Sequence, residues 1–205
     1  MLRNDPSLNA PPLSPVPPAD LTERIWAAAR DEPTIDYLAE TGINLVVGQA
    51  ELGQVQAKYV KRYRASGGRG KTRGVRLVFV AATHDQAIER SRDAADLYYK
   101  LMGGNGYHKE AVEKGYLAAE VKSREDMLEH ISFAVGTPDE VAAQLNAHIA
   151  VTGIDQLDAM AQIPRLAPAD VHESLRLLQT EVRPQLIFDR PAEKTKAIEA
   201  AAAAP

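Results

Sequence analysis

The chain has 205 residues, 45% of them hydrophobic and 25% charged, and a formal net charge of -4. That is enough sequence for one substantial core, and the interspersed charges provide no strong basic field for nucleic acid or an anionic membrane. Cysteine is absent, which excludes disulfides, thiolate catalysis and cysteine-ligated zinc. The N-terminus lacks the basic-then-apolar run of a signal peptide, and no apolar stretch approaches the roughly 20 residues of a membrane helix. The expectation is a cytoplasmic protein with small-molecule partners that binds neither nucleic acid nor membrane.

Residues 1–20 form a proline-rich lead-in (NDPSLNAPPLSPVPPAD from Asn4 to Asp20), since proline cannot donate ladder hydrogen bonds and favours extended chain. A strand is predicted over Arg24–Ala29. A helix over Pro33–Thr41 follows, closed by Gly42 where a left-handed residue costs little. Asn44–Val47 reads as a second strand, and Leu52, Val55, Tyr59, Val60 and Tyr63 then recur at helical spacing. The third strand, Val75–Ala82, is rich in branched and aromatic residues. Asp85–Leu101 reads as a long helix. The stretch Gly103–Ile131 is read as an insertion with two short helices, KEAVEKG and SREDMLEH. Thr137 then caps a helix over Pro138–Val151, with Glu140 completing a capping box. Leu157–Met160 is a weak fourth strand, and a helix over Pro168–Val182 places Val171, Leu175, Leu178 and Val182 on one face. The main unit is therefore residues 21–188, and 189–205 form an alanine-rich tail.

Four strand-helix units in succession imply parallel strands with helical crossovers, an α/β class. Eight such units would close a barrel, which typically needs about 250 residues. Ala65–Thr72 satisfies a relaxed phosphate-loop pattern, but a helix precedes it and a strand follows, the reverse of what such a loop needs, so it reads as a plain loop. Lys71, Arg73 and Arg76 read as a solvated basic turn, and Gly103-Gly104-Asn105-Gly106 as a flexible loop. The five histidines, His84, His108, His130, His148 and His172, show no metal-ligand spacing and read as surface or satisfied residues, and no metal is expected.

Three motifs stand in order near the C-terminus: Val135-Gly136-Thr137-Pro138-Asp139-Glu140-Val141, Thr152-Gly153-Ile154-Asp155, and Ser174 through Glu181-Val182-Arg183-Pro184-Gln185-Leu186. Trp26, Ala28, Ala29, Thr34, Ala39 and Gly42 match a further element, and VRLVFVAATHDQA another. Together they resemble the luciferase-like flavin-dependent monooxygenases from about Leu21 to Leu186. The resemblance implies a (β/α)8 TIM barrel of which this chain supplies strands five to eight. It implies FMN as cofactor, with the deazaflavin F420 as the alternative. It also implies oxidation of a small organic substrate by reduced flavin and O2, with a flavin reductase as the source of reduced flavin. The family's residues at the reactive flavin edge come largely from the first half of the barrel, so the resemblance carries no catalytic residue onto this chain.

The same resemblance places the cofactor phosphate at the end of the first strand here, where a helix N-terminus offers partial positive charge. The cofactor-binding candidates are Arg30, Asp31 and Thr34 at that joint, with Gln49 beside the flavin ring. Asp31 stands where a hydroxyl is expected, and a carboxylate about 4 Å from a phosphate costs on the order of 4 kcal/mol at an effective dielectric near 20. Two readings stay open, a phosphate contact through Arg30, Thr34 and free amides, or an Asp31 that only caps the helix. A half barrel also leaves its inner face and edges uncovered. A second copy, a separate chain carrying the missing strands, or the helices of the 103–131 insertion would have to cover it.

Overall fold

The computed structural model describes residues 20–49, 51–104, 107–115, 117 and 120–188, together with the isolated positions 11, 14, 16 and 18. Most of the proline-rich lead-in, Asn105-Gly106 of the glycine loop and the alanine-rich tail lie outside the described residues. The elements in order are α1 (Leu21–Arg24), β1 (Trp26–Ala28), α2 (Glu32–Thr41), β2 (Asn44–Val47), α3 (Gly53–Ala65), β3 (Thr72–Val80) and α4 (His84–Gly104). Then come α5 (Tyr107–Glu113), α6 (Arg124–His130), β4 (Phe133–Gly136), α7 (Pro138–Thr152), β5 (Gln156–Met160) and α8 (Pro168–Leu177). The relaxed phosphate-loop sequence is indeed the connection between α3 and β3.

Local chemistry sets most boundaries. Asp31 and Thr137 cap α2 and α7, each with proline in the first helical turn, where its missing N–H costs nothing. Gly42 and Gly153 end those helices at φ of 73° and 66°, a conformation that side-chain-bearing residues rarely adopt. The last helix departs from the expected face. After Leu177 the chain widens into a π turn over Leu178–Val182, followed by a 3-10 turn, Arg183–Gln185, that contains Pro184. The extra residue rotates the face, so Ser174 and Leu177 are buried with Val182 while Leu175 is 44% exposed.

All strand pairings are parallel. Leu77 pairs with both Phe133 and Met160, and Arg73 with both Val46 and Gln156, so β2 and β4 share one edge of β3 and β5 takes the other. The strands β1-β2-β3-β5 therefore run in chain order as a barrel arc, with β4 added beyond the end of β2. β4 was not expected. Its four residues are all buried, so they carry no alternation, and they run straight into the Thr137 cap.

The arc has two differently covered faces. Leu45, Val47, Val78 and Val80 point to the side where α2, α3, α7 and α8 pack, with Ile35, Val60, Tyr63, Leu145, Ile149 and Val182 filling the layer. This is the outer side of a barrel. The step from β3 back to β4 reverses direction along the sheet, and a right-handed crossover then places its helices on the opposite side. Accordingly α4 and α6 cover Leu77, Phe79, Phe133 and Val135 through Ala87, Ala94, Met127 and Leu128.

These helices cover only the carboxyl-terminal part of the inner face. Register places Trp26, Ala28, Val46, Arg73, Val75, Gln156 and Asp158 together on the remainder, and each is exposed or half-buried. That surface is polar as well as apolar. Arg73 stacks 3.9 Å from the Trp26 ring centroid, donates to Gln156 Oε1 at 2.8 Å from Nη2, and lies 3.4 Å from Asp158.

Candidate functional site

The carboxyl ends of β1 and β2 meet at one joint. Thr34 N donates to Asp31 Oδ1 at 3.0 Å, so Asp31 caps α2. Hydrogen bonds from the Thr34 amide and then its hydroxyl hold the Asp31 carboxyl below the usual carboxylate range. Arg30 Nε lies 2.8 Å from Glu51 Oε1, and the Glu51 side chain is buried. Gln56 Nε2 donates to Gly48 O at 2.6 Å and to Glu51 O at 3.1 Å. Glu51 folds back over Gly48 so closely that a Cβ there would lie 2.7 Å from Glu51 Oε2. Gln49 is half-buried in this turn. The structure thus brings Arg30 to the turn that holds Gln49, and Asp31 to Thr34.

The joint fits a flavin in part. A phosphate at the α2 N-terminus would find the Thr34 amide already given to Asp31, no N–H at Pro33, and the carboxylates of Asp31 and Glu32 at the entrance. That terminus does not fit a dianion, because both carboxylates repel it and its best-placed amide is engaged. The flavin ring system is different. Ala28, Val46 and Val75 offer a shallow apolar floor with Arg73 at its edge, next to the turn bearing Gln49.

Two features of this region were missed in the sequence. Arg73 and Arg76 are not part of a solvated turn, because β3 begins at Thr72 and alternation sends their side chains to opposite faces of the sheet. Lys71 alone stays exposed. His148 is not a surface or satisfied histidine either. It is buried, its Nε2 has no hydrogen-bond partner, and burial reinforced by the Arg76 charge pushes its pKa down to about 3. Among the others, His84 sits 3.1 Å from Glu140, His130 is buried, and His172 is exposed. No described helix is long and apolar enough to cross a membrane.

Several solved structures share this fold. The oxygenating constituent of 3,6-diketocamphane monooxygenase from Pseudomonas putida, a type II Baeyer-Villiger monooxygenase in complex with FMN, superposes with a TM-score of 0.60 at 19% identity. The match covers 81% of this chain and 49% of that one. The monooxygenase RslO1 from Streptomyces bottropensis gives 0.58 at 16% identity, covering 78% and 47%. The coenzyme F420 dependent tetrahydromethanopterin reductase from Methanopyrus kandleri gives 0.52 at 17% identity, covering 79% and 50%. This chain spans about half the length of these proteins, and at such identities the likeness is one of fold. Among curated protein sequences none matches this chain significantly. The sequence profile of the luciferase-like monooxygenases matches residues 5–156, and the chain belongs to that family.

Proposed function

We propose that the chain is a flavin-dependent monooxygenase half barrel. It binds reduced flavin, FMN with F420 as the alternative, and oxidises a small organic substrate once further strands complete the barrel. The observation that supports this reading is the open inner face of the arc, where Trp26, Arg73 and Gln156 form a stacked, hydrogen-bonded row beside Ala28, Val46 and Val75. When bound, reduced flavin supplies the electrons for oxidation by O2. Arg30 is the cation nearest the expected phosphate, Gln49 borders the ring, and Asp31 with Thr34 fixes the start of α2. Since α2 does not accept the phosphate, the completing strands must supply part of its shell. A second copy or a separate chain could supply them, and a flavin reductase provides the reduced cofactor in the cytoplasm. Residues 21–188 are the working unit, with 1–20 as lead-in and 189–205 as tail.

A second reading is a flavin-binding subunit without chemistry. Among the described residues the open face presents no histidine, and its one acid, Asp158, is already engaged with Arg73. The test is to purify the protein, determine its mass in solution, titrate FMN and F420 by absorbance, and follow O2 uptake with NADH and a flavin reductase. Binding with turnover supports the monooxygenase. Binding without turnover selects the subunit reading, and no binding of either cofactor rejects both.

A further inference from the structure

On one edge of β3, β2 stops at Val47, in register with Gly74, and β4 starts at Phe133, in register with Leu77. Between them, beside Val75 and Arg76, the sheet has a notch. A cavity of about 500 Å³ opens there, with apolar walls that include Leu52, Ile88, Leu117, Leu128 and Val151. Arg76, Ser132 and His148 also line it, and they come from three separate elements or their ends.

The polar groups in this cavity lack protein partners. Arg76 Nε and Nη1, Ser132 Oγ and His148 Nε2 are all buried without a hydrogen bond. Ser132 is only 2% exposed and His148 only 6%. Ser132 also holds φ at 56°, a strained conformation of the kind that collects at functional sites. The N-terminus of α3 opens on the same space, because Gly53 and Gln54 line it and no side chain caps that helix. His148 reaches the helix end, its Nδ1 lying 3.2 Å from where a Gly53 Cβ would stand.

Among the described residues no carboxylate is paired with Arg76. Glu125, Glu129 and Glu140 line the cavity too. Glu140 is committed to Thr137 N at 2.8 Å and to His84. Burial, with no carboxylate contributing, pushes the Arg76 guanidinium down to about 10, so it stays charged at neutral pH. A buried cation with unmade hydrogen bonds is costly, and an anion that reaches it recovers both losses.

We propose that this notch binds a small ligand with an oxyanion head on an apolar body, a phosphate ester or a carboxylate. The head sits between the Arg76 guanidinium, Ser132 Oγ and the first amides of α3, and the body lies against Leu52, Ile88 and Leu128. His148, neutral and presenting Nε2, donates to the head in its Nε2–H tautomer. The site lies at the edge of the arc, between the layer of α3 and α7 and the layer of α4 and α6, and is separate from the joint of Arg30 and Asp31.

Calorimetric titration at fixed ionic strength with phenyl phosphate and with benzoate tests this, since the two probes share a ring and differ in the head. Saturable binding of either is expected, and the tighter probe identifies the head. Arg76→Met should weaken that binding at least tenfold. Ala147→Glu, at an exposed lining position on α7, should do the same by supplying an internal carboxylate, and it decides the matter if Arg76→Met fails to fold. Absence of saturable binding in the wild-type protein, or undiminished binding in the folded variants, would overturn the proposal. None of these outcomes depends on flavin.

Discussion

Ser174 Oγ accepts the backbone N–H of Val80 at 2.8 Å, and both residues are fully buried. β5 ends where Met160 pairs with Leu77, so the edge of β3 beyond it has no strand partner. The α8 hydroxyl takes that place. Ser174→Ala should leave a buried amide unsatisfied and cost about 1–3 kcal/mol, read from the urea midpoint at constant slope. An unchanged midpoint would mean that water replaces the hydroxyl.

Asp155 closes the arc at its other end. Its Oδ2 accepts from Arg64 Nη2 at 2.7 Å and from Thr72 N at 2.7 Å, joining the end of α3, the start of β3 and the entry to β5. Asp155→Ala should destabilise the fold by about 2–3 kcal/mol, since charge-assisted hydrogen bonds are lost and the buried Thr72 amide is orphaned. Asp155→Asn should recover part of this, because its side-chain carbonyl still accepts. Chemical denaturation of the pair checks the ordering.

The α2 cap separates stability from cofactor binding. Asp31→Ala should cost about 1 kcal/mol through loss of the cap, while Asp31→Ser keeps a capping oxygen and should be neutral within about 0.5 kcal/mol. If the phosphate end of the flavin approaches this joint, Asp31→Ser should raise FMN affinity at least tenfold by removing the repelling charge. Fluorescence titration of FMN with both variants reads the difference.

His148 makes stability sensitive to mild acid. Its folded pKa, about 3, is depressed below the unfolded value of 6.5. As pH falls below 6.5 the unfolded chain takes up a proton that the folded chain refuses, so stability present above 6.5 is lost progressively toward pH 3. At pH 5 the loss is about 2 kcal/mol from this residue. Urea unfolding at pH 7 and pH 5 should show it, and His148→Gln should flatten the difference by that amount.

The legible parts of the fold are local. Gly42, the Thr137–Glu140 box and the branched run of β3 each act within a few residues, so their signals survive in one dimension. β4 did not, because Phe133-Ala134-Val135-Gly136 becomes a strand only through pairing with Leu77–Val80. The face of the last helix was misread at Leu175 because a π turn leaves no periodic mark. Arg73 and Arg76 looked alike in sequence, yet starting β3 at Thr72 sends one to the open inner face and the other into the notch. Of the candidate site, Arg30, Asp31, Thr34 and Gln49 are named by resemblance alone. The group formed by Arg76, Ser132 and His148 is not reached that way, since only tertiary packing brings residues so far apart in the chain together.

The most direct measurement uses the single tryptophan of the chain, Trp26, which lies under Arg73 on the open face. Titrating the protein with FMN should quench Trp26 fluorescence saturably, and Val46→Asp, a charge placed on that floor, should abolish the quenching while circular dichroism stays native. Equal quenching in both proteins, or none in the wild type with FMN in large excess over protein, would contradict a flavin on the inner face of the arc.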